Sequence, residues 1–181
     1  MREMYSGLPR TILKYWRAYG SWKAFFLSFY LHCSLLMTFA FLPSICRSDI
    51  NIAYWADLVF QITPSLLGFV LAGTAVFFIG MRDTDFARLI CGKIKNDKRP
   101  SPFIVTIASF THFAVFQVLS LINAIFAKAY VMSNCRLHHI FTIWLFCYSI
   151  LLAIAAIFAV FTLAGWYDTM FDRKDEEIKA P

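Results

Sequence analysis

The stretch PSLLGFVLAGTAVFFIG, residues 64–80, lies inside an apolar run long enough to cross a lipid bilayer. It contains three glycines and two alanines, although bulky apolar side chains would partition better into lipid. At about 100° per residue, the small and polar residues of this run share one narrow helical stripe. The stripe consists of Asp57, Gln61, Pro64, Gly68, Ala72 and Ala75. Because small residues let membrane helices approach closely, it predicts a packing face and makes this helix the expected central helix.

Composition places the whole chain in the membrane class. Of its 181 residues, 60% are apolar, 18% are aromatic and only 15% are charged. Runs of about 18 or more nearly uncharged residues are typical of membrane helices. Four such runs occur, at 22–45, 53–80, 102–131 and 138–166. The sequence therefore predicts an all-α integral membrane protein with four transmembrane helices, folded as a single membrane domain over 1–181.

The cations predict the orientation of these helices. The leader (1–21) and the segment between the second and third runs are rich in Lys and Arg, whereas the other two connections contain only Arg47 and Arg136. Lys and Arg are retained on the cytoplasmic side during insertion, so both termini, including the tail (167–181), are expected in the cytoplasm. The net charge of +6 then reflects topology and attraction to lipid headgroups, and no direct nucleic-acid binding is expected.

The leader has an amphipathic pattern. Ile12, Trp16 and Tyr19 recur at helical spacing, and Lys14 and Arg17 fall outside their stripe. This pattern predicts a short interfacial helix over 8–22 that lies among the lipid headgroups. An irregular basic leader is the alternative.

A second short helix is predicted after the second run, where Asp83 or Thr84 would cap its first turn. Its apolar stripe comprises Phe86, Leu89, Ile90 and Ile94, beside the cations Arg82, Arg88, Lys93, Lys95, Lys98 and Arg99. A position of this stripe on the membrane surface requires no further assumption and is favoured. Alternatively, the stripe anchors a soluble cytoplasmic partner, and the cations orient that partner by electrostatic complementarity.

The third and fourth runs carry small or polar stripes of their own. They comprise Ser109, His112, Phe116, Ser120, Asn123 and Ala127 in the third run, and Ser149, Ala153, Ala156 and Val160 in the fourth. Three such faces predict a compact bundle and a homo-oligomer, most simply a tetramer. Gly68, Ala72 and Ala75 are the predicted contact between copies.

Asp57 is the only acid within the four runs, and it lies toward the outer end of the second. Intramembrane carboxylates usually face protein or water. Together with Gln61, Asp57 would form a pore ring or a proton-linked site in an oligomer. The favoured alternative is an acid close enough to the outer headgroups to remain hydrated.

No residue pattern indicates a reaction. His32 and His112 are isolated within their runs, and His138 and His139 begin the fourth. None of them has the spacing of a metal site, and no phosphate loop or nucleophile elbow occurs in the sequence. We therefore expect no cofactor, no metal and no enzymatic activity.

Two cysteines, Cys46 and Cys135, fall in the two predicted outer connections. An oxidising compartment would permit them to form a disulfide. A bridge also requires their α-carbons to lie within about 7 Å, so free thiols are favoured.

The length, four spans with both ends inside, basic cytoplasmic loop and short outer turns resemble the small four-span membrane subunit of the bacterial Kiwa anti-phage system. The resemblance covers the whole chain but includes no motif, so it assigns no functional residue. It implies an oligomer of the bacterial inner membrane that works with a soluble cytoplasmic partner in sensing or answering infection. The resulting hypothesis is a non-enzymatic sensor or scaffold that recruits an effector. The alternative is an oligomeric channel or pore that depolarises the membrane, with a small transporter third.

Overall fold

The computed structural model describes residues 2–46, 52–91, 100–129 and 136–179, which form seven helices and contain no β-strand. The helices are α1 (Arg2–Tyr19), α2 (Ser21–Phe26), α3 (Phe29–Cys46), α4 (Ile52–Gly80), α5 (Thr84–Cys91), α6 (Pro102–Ala129) and α7 (Arg136–Lys179). The predicted all-α class is confirmed for this part of the chain.

Three of these helices contain a segment that is long and apolar enough to cross a membrane. The segments are Ala53–Gly80 in α4, Pro102–Ala129 in α6 and Arg136–Met170 in α7. They coincide with the last three runs of the sequence and indicate a membrane-embedded protein.

The first apolar run, 22–45, is divided between α2 and α3, so its prediction as one continuous helix is wrong. Gly20 separates α1 from α2 with a φ of 109°, and a Cβ added there would lie 2.6 Å from the Ala24 Cβ. Only glycine is compatible with both that backbone conformation and that contact. The helix is interrupted again at Leu27 and Ser28.

The bundle has two ends, which we name by residues. The Arg82 end holds α5 and the beginning of α6, whereas the Lys128 end holds the beginning of α4 and the end of α6. Helices α6 and α7 are central, because each packs against four other helices, whereas α4 packs mainly against these two. The expectation that α4 is the central helix is therefore wrong.

Buried apolar side chains form two clusters along α7. The cluster toward the Arg82 end includes Phe77, Phe110 and Leu152, and the cluster toward the Lys128 end includes Val59 and Ile143. These side chains hold α4, α6 and α7 together by close packing.

Gly73 permits a close approach of α4 to its neighbours. A Cβ added to Gly73 would lie 3.2 Å from both the Phe110 ring and the Val160 side chain. Small residues serve this purpose between membrane helices, where packing replaces the hydrophobic drive. Within the stretch 64–80, Gly73 is thus a glycine at a tightly packed position of the core, where an added Cβ would require Phe110 and Val160 to shift slightly.

Helix α5 folds back onto the Arg82 end. The Asp83 carboxylate caps it, accepting hydrogen bonds from the backbone N–H groups of Asp85 (2.9 Å) and Phe86 (3.2 Å), as the sequence predicts. Phe86 and Ile90 are each only 1% exposed, and the Phe86 and Tyr167 ring centroids are 4.3 Å apart. The expectation that Phe86 and Ile90 anchor a partner or rest on the membrane is wrong, because packing against the chain's own helices buries them.

Candidate functional site

A hydrogen-bonded chain of side chains lies where α1, α6 and α7 meet. The buried imidazole of His112 contacts the Tyr15 hydroxyl through Nδ1 at 2.8 Å and the Tyr148 hydroxyl through Nε2 at 3.0 Å. A neutral imidazole carries one N–H, so one hydroxyl donates to the ring and the other accepts from it. Both ring nitrogens of His112 are therefore satisfied inside the protein.

Aromatic rings enclose this imidazole. The Tyr19 ring stacks on it with centroids 3.9 Å apart and planes 13° apart, while the centroids of Phe25 and Phe116 lie at 6.2 Å and 4.7 Å. Tyr148 also packs edge-on against the Phe116 ring, with centroids 4.8 Å apart. We call His112, Tyr15, Tyr19 and Tyr148 the His112 cluster.

Two hydroxyls of the cluster belong to α1, outside the membrane-spanning segments. Burial, and to a smaller extent the neighbouring Tyr19, raises the pKa of Tyr15 to about 12. Burial likewise raises the pKa of Tyr19. Both hydroxyls are consequently protonated at neutral pH and available as hydrogen-bond donors.

The break at Gly20 positions the cluster. It lets the last turn of α1, with Tyr15 and Tyr19, and the Phe25 ring of α2 converge on His112. The sequence grouped Ile12 with Tyr19, but Ile12 is 56% exposed and Tyr15 faces α6 instead. The leader is therefore helical as predicted, but it packs on α6, which sequence periodicity alone did not indicate.

Beyond His112, α6 presents a row of buried polar side chains to the bundle interior. Gln117 and Ser120 are 0% and 1% exposed, and Thr63 on α4 is 0% exposed. Within the described part of the chain, the Gln117 amide and the Ser120 and Thr63 hydroxyls have no hydrogen-bond partner. Nearer the Lys128 end, the Asn123 amide donates to Thr142 Oγ1 at 2.9 Å. We call these residues the polar row.

Most of the α6 and α7 stripes faces the bundle interior, which agrees with a role in packing the bundle. Ser120 and Ala127 of α6 are buried, as are Ser149, Ala153 and Ala156 of α7. Gln117 was missed, since a single amide among apolar residues gives no periodic signal. Its position three residues before Ser120 is a helical spacing that could have suggested it.

The small-residue stripe of α4 points the other way. Gly68, Ala72 and Ala75 are exposed on the outer surface of the bundle, and nothing lies within 4 Å of a Cβ added to Gly68. This stripe therefore does not pack against the described part of the same chain. Its use as a contact between copies stays a prediction.

Asp57 joins two helices at the Lys128 end. Its carboxylate forms an ion pair with Lys128 of α6, and the two side chains are 48% and 46% exposed. The Lys128 ammonium also lies 5.7 Å from the centroid of the Phe60 ring, a favourable cation–π distance. Gln61 is exposed one turn farther along α4. Asp57 thus has a partner within the chain, and its role in a pore stays a prediction.

The remaining predicted sites are only partly described. Arg82 and Arg88 are exposed at the Arg82 end. The Leu89 side chain and residues Lys93, Lys95 and Lys98 lie outside the described part of the chain, as do the Cys46 side chain and residue Cys135. The proposed docking surface is therefore described only at its α5 edge, and the proposed disulfide is not described.

Neither a metal centre nor a relative identifies this site. Among the described residues, no group of three or more His, Cys, Asp or Glu side chains is arranged to hold a metal ion. No protein-family model, curated protein or solved structure matches the chain. Function must therefore be inferred from the bundle, its ends and its buried polar groups.

Proposed function

We propose that this chain is a non-enzymatic, oligomeric sensor or scaffold of the bacterial inner membrane that recruits a soluble cytoplasmic effector, in the setting of anti-phage defence. The observation that supports recruitment is the length of α7. Its 44 residues extend about 66 Å at 1.5 Å per residue, against about 30 Å of bilayer hydrocarbon. The apolar segment ends at Met170, and the helix continues to Lys179 through the charged sequence FDRKDEEIK.

The partner surface in this proposal combines the α7 extension with two cations, one just before α5 and one within it. Arg82 and Arg88 are exposed beside the point where Phe86 packs on Tyr167 of α7. A mixed-charge helix beside a basic edge suits a partner with a complementary charge pattern, which would bind faster and in one orientation. Because Phe86 and Ile90 are already buried, the apolar anchor of the partner would have to contact other residues.

Four crossings with both termini in the cytoplasm belong to the same proposal. Helix α1 contacts α6 toward the Arg82 end, and α3 reaches Leu137 at the beginning of α7, so α1 to α3 together run from one end of the bundle to the other. With α4, α6 and α7 this would make four crossings. The cation-rich side would be cytoplasmic. Reporter fusions at residue 181 and within 92–100 should both give cytoplasmic signals, and an external signal from either contradicts this topology.

Assembly, most simply into a tetramer, would use the outward stripe of α4. Lipid contact does not require small residues, because bulky apolar residues serve it equally well. Gly68, Ala72 and Ala75 would instead let a second helix approach closely. Such an assembly would gather several α7 extensions on one side of the membrane and so bind an oligomeric effector with increased avidity.

A pull-down from native cells tests recruitment. The variant Arg82→Ser with Arg88→Ser should lose most of the copurifying soluble protein, whereas the control Arg10→Ser with Lys23→Ser removes equal charge from α1 and α2 and should retain it. Changing Lys93, Lys95 and Lys98 together to Ser extends the test into 92–99. If neither basic-edge variant loses the soluble protein while both insert normally, the recruitment proposal is wrong.

The polar row favours a second candidate function, in which the chain conducts ions and depolarises the membrane. Buried polar groups without partners are costly in an apolar medium unless water reaches them. Water beside Gln117, Ser120 and Thr63 would extend the hydrogen-bonded His112 cluster toward the Lys128 end. A continuous row of hydrogen-bonded side chains and water carries protons more readily than larger ions, which would need a wider opening.

Proton flux into proteoliposomes distinguishes this candidate. Wild-type protein should acidify vesicles faster than empty liposomes do, and Gln117→Leu should abolish the difference. Ser109→Ala is the matched control, because the Ser109 hydroxyl donates only to the Val105 carbonyl of its own helix. Wild-type flux equal to that of empty liposomes excludes this function.

A further inference from the structure

A groove of about 680 Å³ separates α1 from the first half of α6. On the α6 side its wall is apolar, with Phe103, Ile104 and Ile107 contributing. On the α1 side it carries two cations, Lys14 and Arg17, both exposed. The groove is therefore amphipathic: one wall suits hydrocarbon and the opposite edge suits an anion.

The position of the groove matches the chemistry of its walls. Its α6 wall belongs to the beginning of the membrane-spanning segment Pro102–Ala129, so it lies where headgroups meet hydrocarbon. Among the described side chains, no carboxylate forms an ion pair with Lys14 or Arg17. Two exposed cations at this edge attract a lipid phosphate, since basic pockets between membrane helices bind anionic headgroups.

We propose that the groove between α1 and α6 binds one anionic phospholipid, with its phosphate between Lys14 and Arg17 and an acyl chain against Phe103, Ile104 and Ile107. A soluble phosphate compound would leave the apolar wall unused. A zwitterionic lipid would cover the wall but gain less from the cations, because its own ammonium competes for the phosphate. An anionic phospholipid uses both walls.

A second groove in the same molecule serves as an internal comparison. The groove between α3 and α7, near the Lys128 end, has about 310 Å³, and the described residues that line it, among them Leu35, Leu42 and Leu137, include no cation. We expect acyl chains to enter it without headgroup preference. Selectivity for an anionic lipid should therefore depend on α1 alone.

The groove also relates to the His112 cluster, since Tyr15 contributes to both. A lipid bound beside Tyr15 holds α1 against α6. Loss of the lipid should accordingly loosen α1 without disturbing α4, α6 and α7. The inference requires membrane embedding but neither the recruiter nor the channel function.

Native mass spectrometry of the full chain in detergent tests the proposal, with added dioleoyl phosphatidylglycerol or dioleoyl phosphatidylcholine as probes. Wild-type protein should bind one phosphatidylglycerol at least tenfold more tightly than phosphatidylcholine. Lys14→Ser with Arg17→Ser should weaken binding of the anionic lipid about 20- to 30-fold, because each cation near a membrane surface contributes about fivefold to the affinity. The control Arg10→Ser with Lys23→Ser removes equal charge outside the groove and should change binding less than twofold.

Two further measurements separate a lipid site from a general charge effect. Ala18→Trp fills the groove at unchanged charge and should weaken phosphatidylglycerol binding at least fivefold. Millimolar glycerol 3-phosphate should not displace the lipid, because it lacks the acyl chains. Any one of three results would overturn the proposal. They are equal losses of affinity in the groove and control charge variants, unchanged binding in Ala18→Trp, and displacement of the lipid by glycerol 3-phosphate.

Discussion

Helices α4 and α6 carry stripes of small and polar residues that look alike in the sequence but face opposite directions in the structure. The α6 stripe, with His112, Ser120 and Ala127, is buried in the bundle. The α4 stripe, with Gly68 and Ala72, is exposed on its outside. Residue spacing thus identifies a stripe but does not identify what the stripe contacts.

Neighbouring residues explain the difference. On α6 the stripe contains groups that find partners within the chain, such as His112 with Tyr15 and Tyr148. On α4, residues outside the stripe form the inward face. Gly73 is one of them, and the absence of a side chain there leaves room for Phe110 and Val160. The outward stripe is thereby left available for a second copy of the chain.

A matched pair of substitutions tests the opposite directions of the two stripes and should show the largest effect. Ala124 on α6 is fully buried, so Ala124→Leu should overpack the interior and lower the free energy of unfolding by about 1–3 kcal/mol. Ala72→Leu makes the same change on the exposed face of α4 and should leave monomer stability nearly unchanged. Thermal unfolding in detergent measures both.

The same pair tests assembly. Ala72→Leu should reduce the oligomer mass measured by light scattering, because leucine keeps two α4 helices apart. Equal destabilisation by the two substitutions contradicts the outward position of Ala72. An unchanged mass for Ala72→Leu contradicts the α4 contact between copies but leaves the fold as described.

Removing the imidazole at the centre of the α6 stripe should have the next largest effect. His112→Phe keeps an aromatic ring but leaves the Tyr15 and Tyr148 hydroxyls without their contacts to the imidazole. At about 0.6 to 1.7 kcal/mol for each side-chain hydrogen bond between membrane helices, we expect a loss of about 1–2 kcal/mol.

The control is His32→Phe, because His32 is exposed on α3 and its Nδ1 contacts only the Ser28 carbonyl one turn earlier. Limited proteolysis adds a second measurement. The His112→Phe variant should be cleaved within α1 before the bundle is cleaved. Comparable melting temperatures for the two variants would show that the cluster contributes no more than an exposed histidine does.

The comparison also shows how much of this protein the sequence predicts. Hydropathy located α4, α6 and α7 because an apolar run of this length has few alternatives to a membrane helix. The break at Gly20, Leu27 and Ser28 was missed, because apolar composition continues across it and only backbone geometry and packing reveal it. The burial of Phe86 was missed for a related reason: an amphipathic helix packs equally well on lipid, on a partner or on its own bundle, and sequence does not choose among them.

Alkaline pH should loosen the contact of α1 with the α6 stripe. Burial raises the pKa of Tyr15 from 10.0 to about 12, so between these values the folded protein holds a proton that the unfolded chain releases. Stability therefore falls as pH rises from about 10 to about 12 and is unaffected by this group below pH 10. Melting temperatures at pH 8, 10 and 11 should show a smaller alkaline loss in Tyr15→Phe than in wild type. Tyr54→Phe, at an exposed tyrosine of α4, should leave the wild-type loss intact. Identical slopes for the two variants contradict the partly buried position of Tyr15.

The smallest effect is expected at the ion pair that joins Asp57, at one end of the α4 stripe, to Lys128 of α6. Both side chains are about half exposed, so water and salt screen their attraction. Asp57→Asn should lower the free energy of unfolding by less than about 1 kcal/mol. A double-mutant cycle with Lys128→Gln isolates the pair from other effects of either change, and high salt should remove most of the coupling.

The membrane potential of cells that carry the same variants tests whether the ion pair has a role in ion conduction. Depolarisation that disappears in Asp57→Asn but persists in Lys128→Gln would assign the carboxylate to ion conduction, whereas parallel behaviour of the two variants would assign it to joining α4 and α6.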